Sequence, residues 1–183
     1  MSELNSFFAK IHITKDNFDS FLNSKPKMPT LNSDWLEWWN LKEMYNNEDL
    51  QEGNLYCYEG STNESIINDW LESKQSLAFS DYDIKNEIWH FGIIMFAENY
   101  LEMIPGLAFI KSVAEFKTEN KDDFAIVYSY LWGEEEIDAY IKFENKDSFF
   151  DVEVISKDDI NAIFMKYTDS YLDKKMEDLT QVD

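Results

Sequence analysis

Residues 124–156 read FAIVYSYLWGEEEIDAYIKFENKDSFFDVEVIS, and this stretch decides the fold class. Phe124, Ile126, Tyr128, Tyr130 and Trp132 recur at every second position, the period of a strand with one apolar face. Gly133-Glu134-Glu135 then supplies a turn. Segments 137–143 and 149–155 are aromatic and β-branched runs of strand length, and 144–148 is the polar loop between them. Three such runs with short connections predict an antiparallel β-meander. Ser156 stands where a cap would open a last helix, with Asp158 and Asp159 in its first turn. Ile160, Ile163, Phe164 and Tyr167 share the face expected to pack on the meander. From Met176 the chain turns polar, so one domain is expected over 1–175, with 176–183 as a frayed tail.

Working outward, 7–13 alternates enough for a first strand, and Thr14 is placed to cap a helix over 15–23 carrying Phe18, Phe21 and Leu22. Lys25-Pro26-Lys27-Met28-Pro29 breaks that helix. Ser33 is expected to cap a second helix over 34–45, where Asp34 suits the positive end of the helix dipole. Segment 55–58 reads as a short strand. Ser61 and Glu64 have capping-box spacing before a third helix with Ile66, Ile67, Trp70 and Leu71 on one face. Segment 88–97 is an uncharged apolar run read as a buried strand, and 98–114 is ambiguous because Pro105-Gly106 interrupts it. Helices first, a β-meander in the C-terminal half and a covering C-terminal helix make a single α+β domain.

The 183 residues suit one domain, and 44% apolar with 16% aromatic residues is ample core material. Sixteen basic residues against 37 acidic give 16 − 37 = −21, and every basic residue is lysine. No basic surplus exists to hold phosphates, so nucleic-acid binding is not expected. An anionic membrane would repel such a chain, and the longest uncharged apolar run is too short to span one. A strongly anionic field favours a basic partner. From Glu43 to Glu98 there are 12 acids and two lysines, 2 − 12 = −10, nearly half of the net charge. Cys57 is the only cysteine, and the start MSELN lacks the basic and apolar regions of a signal peptide. Both point to a cytoplasmic protein.

Catalytic chemistry would have to start from His12, His90 or Cys57. Both histidines fall in strand-like runs, and Cys57 lies between two tyrosines with Glu59 close by, a poor setting for a thiolate. The chain has no HExxH, CxxC or GxSxG motif and no glycine-rich phosphate loop. The acid clusters Asp81-Tyr82-Asp83 and Glu134–Glu136 lack the spacing and glycine of a calcium loop. No catalytic residue, metal site or cofactor is nominated.

Acids beside large aromatics stand out instead. Trp132 ends the first meander strand and is followed by Glu134, Glu135, Glu136 and Asp138. Trp35, Trp38 and Trp39 share one helix face, with Asp34 and Glu37 nearby. Tryptophan and tyrosine anchor many interfaces, and acids around them select a basic partner. These seven residues, Trp132, Glu134, Glu135, Glu136, Asp138, Asp34 and Glu37, are the candidate partner-binding set. The competing structural reading puts both tryptophan groups in the core and leaves the acids as solvated turns.

The −21 charge, the lone cysteine, the lack of a catalytic signature and the acid–aromatic stretches 34–39 and 130–138 together resemble bacterial toxin-immunity proteins of the polymorphic-toxin and contact-dependent-inhibition kind. The likeness is compositional and carries no fold and no residue role. It implies direct binding of a basic secreted toxin domain, expected to be a nuclease, whose phosphate-holding surface the acids would cover. Two other readings stand beside it. One is an acidic adaptor or DNA mimic acting on a DNA-binding protein, and the other an enzyme using scattered carboxylates.

Overall fold

The computed structural model describes residues 4–42 and 48–181. Its hub is β1 (Asn5–His12), whose alternating Phe7, Ala9 and Ile11 point one way while Phe8 points the other. On one side β1 pairs with β3 (Ile88–Ala97), which forms a hairpin with β2 (Ala78–Asp83). On the other it pairs with β4 (Phe124–Tyr128), followed by β5 (Ile137–Glu144) and β6 (Asp147–Phe150). The sheet order is β2-β3-β1-β4-β5-β6 and every neighbouring pair is antiparallel. The fold is α+β, with the meander in the C-terminal half as expected.

Helices cover both faces. On one face α1 (Lys15–Asn23), α2 (Ser33–Asn40), α3 (Asn63–Glu72) and α4 (Tyr100–Lys111) bring Phe21, Trp35, Trp38, Ile66 and Phe109 onto Phe7, Trp89, Phe91 and Val127. On the other, α5 (Ala162–Thr180) lays Met165 and Leu172 over Phe8, Phe79, Ile94, Phe124 and Ile126. Cover on both sides explains why β3 reads as an uncharged apolar run, since all its residues but Ile88 and Met95 are buried. The α5 seam is also hydrogen-bonded. Tyr167 Oη lies 2.5 Å from His90 Nε2, and the Tyr171 hydroxyl donates to Asp81 at 2.9 Å. Asp169 and Asp173 accept from the hydroxyls of Tyr128 and Tyr130. The partners come in i, i+4 pairs, 167 with 171 and 169 with 173, which keeps each pair on one stripe of the helix.

Several local expectations are corrected. The first meander strand stops at Tyr128, and Tyr130–Trp132 belong to a turn. β6 occupies 147–150, not 149–155, because Asn145 and Lys146 take positive φ values of 51° and 63° and close a tight two-residue hairpin. Ser156 caps a single 3-10 turn, Lys157–Asp159, and α5 starts later under an Asn161 cap. The helix phase therefore shifts: Met165, Thr168 and Leu172 are buried, whereas Ile163 is 73% exposed. The last turn of α5 covers 176–180, with Met176 and Leu179 packed on the sheet, where a frayed tail was expected.

In the N-terminal half, α1 has the predicted bounds and its Thr14 cap, whereas α2 is capped by Asn32 and ends at Asn40. The rest of the predicted second helix, 43–45, lies outside the described residues. Segment 55–58 forms no strand, and α3 is capped by Thr62 with Ser65 completing the capping box. β2 was not anticipated, because its Asp81 and Asp83 break the apolar alternation at the edge of the sheet.

α4 runs straight through Pro105. Proline cannot donate to the carbonyl four residues back, Leu101, and the Tyr56 hydroxyl donates to that carbonyl at 3.1 Å instead. Gly106, next in line, leaves room for the Phe96 ring, which a Cβ there would strike. Among the described residues no helix is long and apolar enough to cross a membrane.

Candidate functional site

Two ladder irregularities fall at one end of the sheet. Asn5 pairs with Ala97 and Phe7 with Ile93, so β3 carries extra residues there. Val127 pairs with Ala139 and Tyr128 with Ile137, which leaves Asp138 as the additional residue of a bulge. Bulges re-aim side chains and interrupt pairing. Between them opens a cleft of about 370 Å³, lined by Asn5, Glu98, Tyr100, Leu101, Met103 and Asp138 among others.

Asp138 is only 7% exposed. Burial pushes its carboxyl up to about 6; Lys42 opposes the rise, nearby Glu136 adds to it, and a hydrogen bond from Tyr100 also opposes it. Lys42 is in turn lowered by burial, while Asp138 and Glu136 hold it up. Its ammonium sits 5.8 Å from the Trp38 ring centre and 5.4 Å from that of Tyr100, within cation–π range. Both members of the Asp138–Lys42 pair thus lose more by desolvation than they recover from each other. The Asp138 carbonyl accepts from Trp38 Nε1 at 2.9 Å, which fixes the bulge onto α2.

Beside this cleft the β4–β5 connection projects outward. Trp132 is 51% exposed in the turn before Gly133, whose φ of +71° suits glycine. Glu134, Glu135 and Glu136 are all exposed, while their backbone is pinned through Lys157 N–H to the Glu135 carbonyl and a Glu136–Ser156 bridge. Among the described residues the acids held in ion pairs are Asp19, Asp34, Asp81, Glu115, Asp123 and Asp151. The three glutamates of this turn are in none of them.

Of the seven residues nominated from the sequence, Trp132, Glu134, Glu135 and Glu136 are exposed in the β4–β5 connection, whereas Asp138, at the start of β5, is buried. Asp34 is committed elsewhere. Its Oδ1 accepts the Phe150 N–H at 2.7 Å and its Oδ2 pairs with Lys111 at 2.8 Å. Glu37 is exposed on α2. Trp35, Trp38 and Trp39 are buried, as the structural reading of that stripe has it. Lys42 and Tyr100 belong to the site but no sequence pattern marked them, because only the bulge brings Asp138 to face them.

Elsewhere, a cleft of about 300 Å³ holds Lys27, Lys111 and Lys146 together with Asp34, Glu115 and Asp147, so its charges balance internally. His90 is buried and stacked on Tyr171 with ring centres 4.5 Å apart, and burial drives its imidazole down to about 4. His12 is bonded to Asp123, and Cys57 is half-buried. Among the described residues no group of three or more histidine, cysteine or acidic side chains is gathered for a metal ion. No family model, no curated protein and no solved structure matches this chain.

Proposed function

We propose that this protein binds a basic protein and neutralises it by forming a direct complex, in the manner of a bacterial immunity protein facing a secreted toxin domain. The observation that carries this reading is the exposed Trp132, followed by three exposed glutamates that, among the described residues, no lysine meets at ion-pair distance. A half-exposed tryptophan followed in the same connection by three exposed acids suits an anchor with a charged rim, the division of labour that protein interfaces use. A nuclease is the natural kind of target, because a domain that holds phosphate must be basic where it acts. On this reading the protein is not an enzyme, works in the cytoplasm of the producing cell, and takes neither nucleic acid nor membrane as its partner.

The test is co-expression with the product of the adjacent reading frame. Growth arrest by that product, relieved by this chain and not by a Trp132→Ala, Glu134→Lys, Glu136→Lys variant of unchanged stability, supports the proposal. Relief by the triple variant, or no effect of the chain on a toxic neighbour, overturns it. Binding instead to a DNA-binding regulator, in competition with duplex DNA, would establish the DNA-mimic reading.

A further inference from the structure

At the opposite end of the sheet from the Asp138 cleft, two buried side chains face each other through a pair of atoms that no hydrogen bond satisfies. Lys117 follows the short 3-10 segment Ser112–Glu115, and Asp123 immediately precedes β4. Both side chains are completely shut off from solvent, and Lys117 Nζ lies 3.2 Å from Asp123 Oδ2. That is ion-pair distance, yet neither atom makes a hydrogen bond, because the two are not aligned for donation. The second carboxylate oxygen is held differently. Asp123 Oδ1 accepts the main-chain N–H of His12 at 2.9 Å and lies 2.6 Å from His12 Nδ1. An acceptor at that distance assigns the ring proton to Nδ1.

We propose that Lys117 and Asp123 condense into an intramolecular isopeptide bond, with His12 supplying the oxyanion hole. A dry site disfavours an isolated charge, and the neutral amine–acid pair that condensation requires differs from the ion pair only in the position of one proton. Asp123 follows that rule: burial raises its carboxyl above the usual range against the pull of His12 and Lys117. The Nζ lone pair attacks Cγ and the Nζ–Cγ bond forms. Negative charge develops on Oδ1, where the two His12 donors already sit, the arrangement that stabilises such intermediates. The Cγ–Oδ2 bond then breaks. Oδ2 carries the carboxyl proton, takes one proton from Nζ and leaves as water. The amide nitrogen keeps one hydrogen, Oδ1 becomes its carbonyl, and no oxidant, metal or co-reactant is consumed. Holding the two groups in place supplies the proximity that makes an otherwise slow condensation feasible. The product removes both charges and the unpaired Oδ2, leaves Nζ as a neutral amide N–H, and ties the 117–123 connection shut beneath the end of β1.

Intact mass decides the matter. The folded full-length protein, denatured and weighed, is expected to be lighter than its sequence by one water, whereas Lys117→Met has its full mass. Trypsin should fail to cut after Lys117, and the peptide 112–121 should stay joined to the one that begins at Asp122. Asp123 can also lose water by cyclising onto its own backbone, but hydroxylamine opens that ring and spares an isopeptide. A full-mass wild type, or a loss reversed by hydroxylamine, overturns the proposal. His12→Leu should lower the fraction converted at a given time after folding, and an unchanged rate would overturn the role assigned to His12.

Discussion

Trp38 Nε1 donates to the carbonyl of Asp138 across 100 residues of chain, at 2.9 Å in the buried seam between α2 and β5. One bond thus joins the tryptophan stripe, which is core, to the bulge residue that lines the candidate site. Trp38 also stacks on Phe150 with ring centres 5.1 Å apart, so its position is fixed from two sides.

Trp38→Phe keeps an aromatic ring but leaves that carbonyl without its donor and a gap beside it. The expected loss is about 2 kcal/mol, read as a shift in the urea midpoint. A midpoint unchanged from wild type would mean that the bulge is held by other contacts.

His90 and Asp138 should give the protein opposite acid responses. The folded pKa of His90, about 4, lies below its unfolded value of 6.5, so its contribution is complete above 6.5 and is lost as pH falls towards 4. The folded pKa of Asp138, about 6, lies above its unfolded value of 3.8, so its contribution is complete below 3.8 and is lost as pH rises through 6. His90→Gln should therefore flatten the acid side of the stability curve by about 3 kcal/mol at most. Asp138→Asn should compare better with wild type at neutral pH than at pH 4. Urea titrations of the three proteins across this range provide the check, and parallel curves would contradict both assignments.

Tyr56 and Pro105 should be coupled through the Leu101 carbonyl. Tyr56→Phe alone leaves that carbonyl to water, whereas Pro105→Ala gives it an internal donor. A double-mutant cycle should return a coupling of about 0.5–1 kcal/mol, and additive effects would show that Tyr56 does not support the helix.

Gly92 lies between Phe8 and Phe79 in the register of three strands, and a Cβ there would strike the Phe79 ring and the Phe7 carbonyl. Gly92→Ala should cost about 1–3 kcal/mol by thermal or urea unfolding. A variant as stable as wild type would show that the Phe79 ring moves aside freely.

The meander was legible because three runs with strand-like residues sat between short polar connections, and α1 because Thr14 caps it and Phe18 and Phe21 have helical spacing. What stayed hidden depended on distant partners. Pro105 looks like a helix breaker until Tyr56, far away in the chain, meets Leu101. The edge strand β2 looks like a charged loop until Asp81 meets Tyr171 and Lys175 of α5. At the site, the exposed Trp132 and its glutamates are local turn features and could be nominated from order alone. Asp138 was nominated for its charge, but its burial follows from a pairing irregularity that no local pattern encodes. Asp34 has the same composition around it as Glu37, yet only tertiary structure sets Lys111 and the Phe150 amide against it.

On the proposed reading, the exposed acids that follow Trp132 steer and hold a basic partner. Stopped-flow association with the basic domain encoded by the adjacent reading frame, measured across a salt series, tests it most directly. The field of an anionic protein reaches only about 8 Å at physiological ionic strength, so added salt should slow encounter steeply. Reversing Glu134, Glu135 and Glu136 to lysine should lower the on-rate and flatten its salt dependence, while Trp132→Ala should act mainly on the off-rate. An on-rate that ignores salt, or charge reversal without kinetic effect, would contradict the account.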